Sequence, residues 1–171
     1  MQTMREPGSS IDKFLEVGIG ELVVSADPGA VLVANALGPC IVVLAYDPLR
    51  SIGGMLHFLL PSSAISRTDI EKRPALFADT GVPLLVERMT LGGMTRPELV
   101  VKVAGGATPQ QRNPFALGRR NYFALRRALE QRGLSISSEA VGGNVSRTVR
   151  LCVGSGRMSL HTGDPSNERA L

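Results

Sequence analysis

Thiol and imidazole chemistry in this sequence rests on four side chains, because its 171 residues include only two Cys and two His. These side chains are Cys40, His57, Cys152 and His161. A free thiol with a pKa near 8.5 is only a few per cent thiolate at neutral pH, so a nucleophilic cysteine needs a neighbouring imidazole. The first question is therefore which cysteine can reach which histidine.

Cys40 and His57 lie on either side of a predicted β-hairpin. The apolar runs at residues 41–46 and 54–60 predict two strands, and the turn signal DPLR at residues 47–50 lies between them. With residues 47–50 as a four-residue loop, Cys40 lies directly opposite His57, and such residues have Cβ atoms about 4.5–5.5 Å apart. A loop of five residues would shift the pairing by one. The four-residue register predicts a Cys–His dyad.

These scarce residues also have an ordinary structural interpretation. Cysteine is among the most often buried residue types, and His57 lies between two apolar residues, as a core histidine does. Cys40, however, follows a Gly-Pro pair at the edge of its strand, which favours exposure to a substrate. Cys152 has no His near it in sequence and is interpreted as a core or bystander residue, and His161 as a surface residue.

Metal and phosphate sites are not expected from the spacing of residues. The Cys and His residues are scattered and show none of the close ligand spacings of zinc sites. The glycine pairs at 105–106 and 142–143 lack a phosphate-loop pattern. We expect these glycines to serve tight turns or a close backbone approach.

The basic charge is concentrated in one stretch. The net charge is +4, and the densest basic stretch, at residues 112–132, carries Arg119, Arg120, Arg126 and Arg127. This stretch fits a solvated helix face or a docking surface for an acidic protein. A nucleic-acid surface is a third possibility, but single-strand binders interleave aromatic side chains as stacking platforms, and aromatics are only 4% of this sequence.

The length and the order of elements predict one α+β domain of mainly antiparallel β-sheet flanked by helices. Strands are grouped at both ends of the chain and helices in the middle, and the clearest helix is expected at residues 120–131. We expect a flexible leader at residues 1–10, a folded domain at 11–161 and a flexible tail at 162–171. The leader has no apolar core typical of a signal peptide, so a cytoplasmic location is expected. Further strands are predicted at residues 21–25, 31–34, 99–103, 136–141, 148–153 and 158–161. Further helices are predicted within residues 66–79, with an interruption near Pro74, and within residues 81–94.

An ordered series of short motifs resembles the CheD family of chemoreceptor glutamine deamidases. The most specific portion is residues 37–61, and the whole resemblance covers about residues 17–160. The motifs are Gly20-Glu21, LGPC at 37–40, Asp47-Pro48, GGMLHFLLP at 53–61, ADT at 78–80, KVAGGA at 102–107, Gly118 with Asn121, and GGN at 142–144 with Arg147.

The resemblance implies a specific reaction. CheD proteins are cysteine hydrolases whose α+β fold is similar to that of toxin deamidases, and they convert glutamines of methyl-accepting chemoreceptors to glutamate. The nucleophile falls on Cys40 and the histidine on His57, the same pair that the hairpin register selects. No cofactor or metal is implied. Implied partners are chemoreceptor cytoplasmic domains and a CheC-type phosphatase of the chemotaxis response regulator.

The sequence departs from the family pattern near the implied site. The family usually has Thr six residues before the nucleophile as a third catalytic group, and Ala34 stands there. Asn35 is adjacent, but neighbouring strand residues face opposite ways. Pro39 replaces the usual Ser and removes a backbone N–H that could belong to an oxyanion site. Further departures are Ala104, where the family has Phe, and Ala140, where it has Asp.

These departures leave a second hypothesis open. The chain could be a catalytically weakened or inactive CheD-like binding module that docks on receptors or a CheC-type phosphatase. The intact Cys40 and His57 favour the enzyme, whereas Ala34 and Pro39 favour the binding module.

Overall fold

A computed structural model describes residues 12–66, 71–90, 98–108 and 116–171. The predicted leader, residues 112–115 of the Arg-rich stretch and the last four residues of the helix expected within 81–94 lie outside these ranges. The described part contains ten strands and two complete α-helices, and residues 71–72 are also helical. They are β1 Lys13–Glu16, β2 Glu21–Ser25, β3 Ala30–Leu37, β4 Ile41–Asp47, β5 Ile52–Phe58, α1 Ala78–Thr90, β6 Val100–Gly105, α2 Leu117–Glu130, β7 Ile136–Val141, β8 Arg147–Cys152, β9 Arg157–His161 and β10 Arg169–Ala170.

The strands form two five-stranded sheets. The first sheet has the order β1-β3-β8-β9-β10 and the second the order β2-β5-β4-β6-β7. Most neighbours are antiparallel, and the exceptions among these named pairs are β1 with β3 and β6 with β7. The predicted α+β class of mainly antiparallel sheet with helices is therefore confirmed.

β4 lies at the centre of the fold and is buried on both faces. Val42 and Leu44 pack into a first core between the two sheets. The alternate residues Ile41 and Val43 pack into a second core between the second sheet and both helices. This arrangement explains why the sequence of β4 is continuously apolar and does not alternate.

The helices differ from their predictions mainly at their ends. α2 starts at Leu117, earlier than expected, and buries the Leu125 and Leu129 stripe against the second sheet. The helix expected within residues 66–79 is present at residues 71–72 and is interrupted, as expected, at Pro74, which begins a short 3-10 turn. Pro lacks the N–H that an interior helical position needs, and α1 accordingly starts after this turn, at Ala78.

The C-terminal residues differ from the flexible tail that we expected. β10 pairs with β9 in antiparallel register. The Leu171 N–H donates to the Met158 carbonyl at 3.1 Å, and the Leu171 side chain is buried in the first core. The folded domain therefore extends beyond the boundary predicted at residue 161.

Candidate active site

The β4–β5 hairpin has a different register from the one predicted. Val42, and not Cys40, lies directly opposite His57. Asp47 pairs with Ile52, so the loop comprises residues 48–51 instead of 47–50. The prediction that Cys40 directly opposes His57 is therefore wrong.

Asp47 explains the difference, because its side chain acts as the cap of the turn. Its buried carboxylate accepts the backbone N–H of Leu49 at 3.0 Å and of Arg50 at 3.1 Å. The Arg50 guanidinium also donates to it at 2.6 Å. These bonds hold Asp47 at the last strand position, and the turn begins at the following residue.

The corrected register makes Cys40 a diagonal neighbour of His57 instead of a direct one. Cys40 stands two residues before Val42, and the side chains of residues two apart on an extended strand share a face. Such a residue is a diagonal neighbour of His57, with Cα atoms about 7–8 Å apart, which remains within reach of long side chains. The two proposed catalytic residues thus lie at neighbouring positions at one end of the hairpin.

His57 is held in one tautomer by a main-chain carbonyl. It is only 3% exposed, and its Nδ1 lies 2.9 Å from the Val17 oxygen. Because a carbonyl only accepts, Nδ1 carries the proton and donates it. In the neutral ring, Nε2 is then the unprotonated nitrogen, and it is buried without a hydrogen-bond partner among the described residues. Burial lowers the pKa of His57, although the Val17 bond and the charge of Glu21 act in the opposite direction.

The segment between β1 and β2 fixes this contact between the two sheets. The Val17 N–H donates to the Val33 carbonyl at 2.8 Å, and the Gly20 N–H donates to the His57 carbonyl at 2.7 Å. The Glu21 carboxylate accepts the Gly18 N–H at 2.7 Å. The sequence did not reveal Val17 as a positioning group, because a main-chain acceptor has no side-chain signature.

Cys40 is buried, contrary to the exposure that its place at the strand edge had suggested. It is 5% exposed. Burial raises the pKa of its thiol, while backbone N–H groups of Gly38 and Cys40 that hydrogen-bond to the sulfur act to lower it. Since the pKa of Cys40 is raised and that of His57 is lowered, the resting pair is a neutral thiol and a neutral imidazole, not a thiolate–imidazolium pair.

The nucleophile segment, residues 38–40, is fixed through all its carbonyl groups. In chain order, they accept the N–H of Ala107 at 2.8 Å, the side-chain amide of Asn121 at 2.9 Å and the N–H of Gly106 at 2.8 Å. The N–H groups that reach the sulfur belong to residues 38 and 40. Pro39 therefore removes neither of these donors.

The glycine pair at 105–106 makes the close backbone approach that was predicted. Gly105 has φ +118, and a Cβ there would lie 2.2 Å from the Cys40 carbonyl oxygen. Its own carbonyl accepts the Gly142 N–H at 2.9 Å, which ties in the second glycine pair. A side chain at Gly105 would push directly on the nucleophile segment.

Ala34 offers no third catalytic side chain. It is fully buried in the first core, and the β3–β8 register shifts between Ala34 and Leu37. Asn35 is exposed and its amide donates to the Glu16 carboxylate at 3.1 Å, so Asn35 does not replace the family Thr. Among the described groups, the Val17 carbonyl is the one that orients the ring of His57.

The other two departures from the family pattern, Ala104 and Ala140, lie in line with His57 across the second sheet. Across the second sheet, His57 pairs with Val42, Val42 with Ala104, and Ala104 with Ala140. Residues paired across a sheet share a face. Ala104 and Ala140 therefore lie on the same face as His57, with small side chains.

Cys152 and His161 lie in the other sheet. Cys152 is partly exposed at the end of β8, and the Arg157 guanidinium approaches its sulfur to 4.0 Å. His161 was expected at the surface but is only 8% exposed. The chain after β9 folds back and pairs with it through β10.

The other features considered are metal sites, membrane-spanning helices and the basic face of α2. Within the described ranges, no group of three His, Cys, Asp or Glu side chains could hold a metal ion. None of the helices described is long and apolar enough to cross a membrane. α2 presents its basic face to solvent, with Arg119 5.5 Å from the ring centre of the exposed Phe123 and Arg126 3.8 Å from Glu130.

Comparison with known proteins gives consistent matches. The family model described as CheD chemotactic sensory transduction matches residues 59–162. A probable chemoreceptor glutamine deamidase CheD 2 of Anaeromyxobacter dehalogenans is 48% identical over 88% of this chain and 96% of that protein. A probable chemoreceptor glutamine deamidase CheD of Solibacter usitatus is 44% identical over 89% of this chain and 90% of that protein. The crystal structure of the Bacillus licheniformis hypothetical protein YfiH aligns with this chain with a TM-score of 0.39 and 16% sequence identity. The alignment covers 77% of this chain and 60% of that one.

Proposed function

This chain belongs to the CheD family, and from that premise we propose that it is a cysteine-dependent glutamine deamidase acting on methyl-accepting chemoreceptors. Relatives that span nearly the whole chain carry the name of that activity. The structural observation that carries the proposal is the buried, unpaired Nε2 of His57 on β5, at the end of the hairpin where Cys40 directly precedes β4. Nε2 is the atom that would take the thiol proton.

The reaction needs only groups of this chain, the substrate and water. The Cys40 sulfur attacks the carbon of the glutamine carboxamide while its proton moves to Nε2 of His57. Backbone N–H groups of the nucleophile segment, including that of Cys40, stabilise the charge that develops on the carboxamide oxygen. The C–N bond then breaks, and His57 returns the proton to the departing ammonia, which leaves a thioester.

The second half of the reaction restores the enzyme. His57 accepts a proton from water as the water oxygen attacks the thioester carbon. The C–S bond breaks, the proton returns to the sulfur, and the side chain is released as glutamate. The Nδ1 bond to Val17 keeps the ring in the tautomer that both steps require.

The partners and location follow from the same proposal. A protein that modifies the cytoplasmic domains of chemoreceptors works in the cytoplasm. We also propose that a CheC-type phosphatase binds this chain, as the family resemblance implies. The exposed basic face of α2, with Arg119 stacked on Phe123, is a surface of the right charge for an acidic protein.

The test is conversion of glutamine to glutamate on a chemoreceptor cytoplasmic domain, read by mass spectrometry. The unmodified protein should convert particular glutamines, Cys40→Ala should convert none, and Cys152→Ala should retain the activity. Binding of each variant to the receptor domain is measured in parallel. Receptor binding without conversion by the unmodified protein would reject the enzyme and support the binding module.

A further inference from the structure

One buried amide joins the two chain segments that carry Cys40 and His57. Asn121 of α2 is 0% exposed. Its Nδ2 donates to the Pro39 carbonyl at 2.9 Å and to the Leu59 carbonyl at 2.7 Å. Pro39 directly precedes Cys40, and Leu59 follows His57 by two residues. A single side chain therefore spans the end of the hairpin at which the proposed dyad lies.

The orientation of the Asn121 amide is fixed by its partners. Both are carbonyl oxygens, so only the NH2 group can face them. Oδ1 is then buried and has no hydrogen-bond partner among the described residues. A buried acceptor without a partner reduces stability, so an amide is not the most stable choice for this place in the core. The need for two donors at this place would explain why the amide is there.

The helix beneath Asn121 contacts the same segment a second time. A Cβ at Gly118, one turn earlier, would lie 2.4 Å from the Gly106 carbonyl oxygen, so the helix and this turn are in direct backbone contact. The Gly106 N–H donates to the Cys40 carbonyl at 2.8 Å. The first turns of α2 thus support the nucleophile segment through Asn121 and through Gly118.

We infer that Asn121 is a positioning residue that sets the distance between the Cys40 sulfur and the His57 ring. It acts through the carbonyls of Pro39 and Leu59 and does not contact the substrate. The inference rests on the proposed function for its catalytic consequence. Its structural consequence, control of the reactivity of the Cys40 thiol, can be measured without a substrate.

The first measurement compares Asn121→Leu with the unmodified residue in a Cys152→Ser background, which leaves Cys40 as the only thiol. Leu removes both donors, is close to Asn in size and brings no charge. We expect kcat for receptor deamidation to fall about 100-fold with KM nearly unchanged, because misplacement by about 1 Å has an effect of that size. We also expect iodoacetamide to alkylate Cys40 severalfold faster. The pH midpoint of this alkylation should move down towards the ordinary thiol value, because the loosened segment buries the thiol less.

The matched control is Leu125→Ala. Leu125 is one turn further along α2, fully buried in the second core, and makes no hydrogen bond to the strand ends. It should lower stability while leaving the alkylation profile and kcat unchanged below the unfolding temperature. If Leu125→Ala shifts the alkylation profile as much as Asn121→Leu, or if neither variant shifts it, Asn121 is only a packing residue and the inference is overturned.

A second measurement needs no substitution of Asn121. In the Cys152→Ser protein, NMR should show slow exchange of both side-chain NH2 protons of Asn121 and a change in their shifts when Cys40 is alkylated. Fast exchange of these protons, or no change on alkylation, would also overturn the inference. Failure of the unmodified protein to deamidate a receptor would reject the proposed function, whereas the alkylation and NMR results would still decide the role of Asn121.

Discussion

Burial separates the pKa values of Cys40 and His57 in the direction that keeps both groups neutral. It raises the pKa of the thiol and lowers that of the imidazole. Separated charges in this nearly closed place would lose their hydration. The proton therefore moves from Cys40 to His57 only during the attack on the carboxamide, when backbone donors stabilise the developing oxyanion. It does not move in the resting protein.

The lowered pKa of His57 predicts a stability that depends on pH. The unfolded chain binds a proton at about 6.5, but the folded chain does so only at a lower pH, so the free energy of unfolding should fall as pH drops below about 6.5. Urea denaturation from pH 7.5 to 5 measures this loss. His57→Gln should flatten the dependence in this window, while His161→Gln, which keeps His57, should retain it. An equal slope in His57→Gln and the unmodified protein would contradict the prediction.

Ala34 predicts an outcome for restoring the family residue. The Val17 carbonyl already occupies Nδ1 of His57, and Ala34 is fully buried. Ala34→Thr should therefore change kcat by less than about threefold and lower the free energy of unfolding by about 1–3 kcal/mol through overpacking and a buried hydroxyl. Receptor deamidation rates and urea denaturation check this result. A tenfold gain in kcat would show that Val17 does not substitute for the Thr.

The β4–β5 hairpin shows what the sequence could and could not predict about the site. Its apolar runs and turn residues predicted both strands, and Cys40 was correctly expected at the edge of its strand. The register was wrong because Asp47 is compatible with either the last strand position or the first loop position. Only the tertiary contacts decide, since Asp47 caps the turn while Arg50 donates to the Met89 carbonyl of α1 at 3.1 Å.

Asp47 should therefore be essential to the stability of the hairpin. Asp47→Asn removes a charged acceptor of bonds from Leu49 and Arg50, and should lower the free energy of unfolding by about 1–3 kcal/mol at pH 7. Burial alone would raise the pKa of Asp47, but the bonds from Arg50 and Leu49 outweigh it and lower the pKa below 3.8. The stabilisation should thus be present above pH 3.8 and disappear as pH falls through the lowered value.

A matched substitution separates this effect from a general loss of charge. Asp164 also caps a turn, accepting the Ser166 N–H at 2.8 Å, but it is exposed. Asp164→Asn should change stability much less than Asp47→Asn in urea denaturation at pH 7. Comparable losses in the two variants would mean that the buried cap does not determine the hairpin.

For the molecule as a whole, the sequence predicted which strand is buried on both faces, but it did not predict that the last ten residues pack on the fold. The continuously apolar β4 predicted a strand covered on both faces, and the two cores confirm it. The last ten residues are polar and rich in turn signals, so they read as a tail. Their place in the fold depends on a single apolar residue, Leu171, and on pairing with β9, neither of which leaves a periodic pattern.

The C-terminal residues should therefore contribute to stability without serving the reaction. Ending the chain after Gly163 removes β10, exposes the part of the first core that Leu171 covers, and removes the Leu171 carbonyl to which Lys102 donates. We expect a loss of about 2–4 kcal/mol in the free energy of unfolding from the lost burial and pairing. Leu171→Ala should reproduce much of it, whereas Leu49→Ala should be nearly neutral because Leu49 is 87% exposed.

Thermal unfolding measures the loss, and receptor deamidation well below the midpoint should stay unchanged, since β10 pairs in the sheet that does not carry Cys40 or His57. An unaltered midpoint in the shortened chain would mean that these residues are a tail after all.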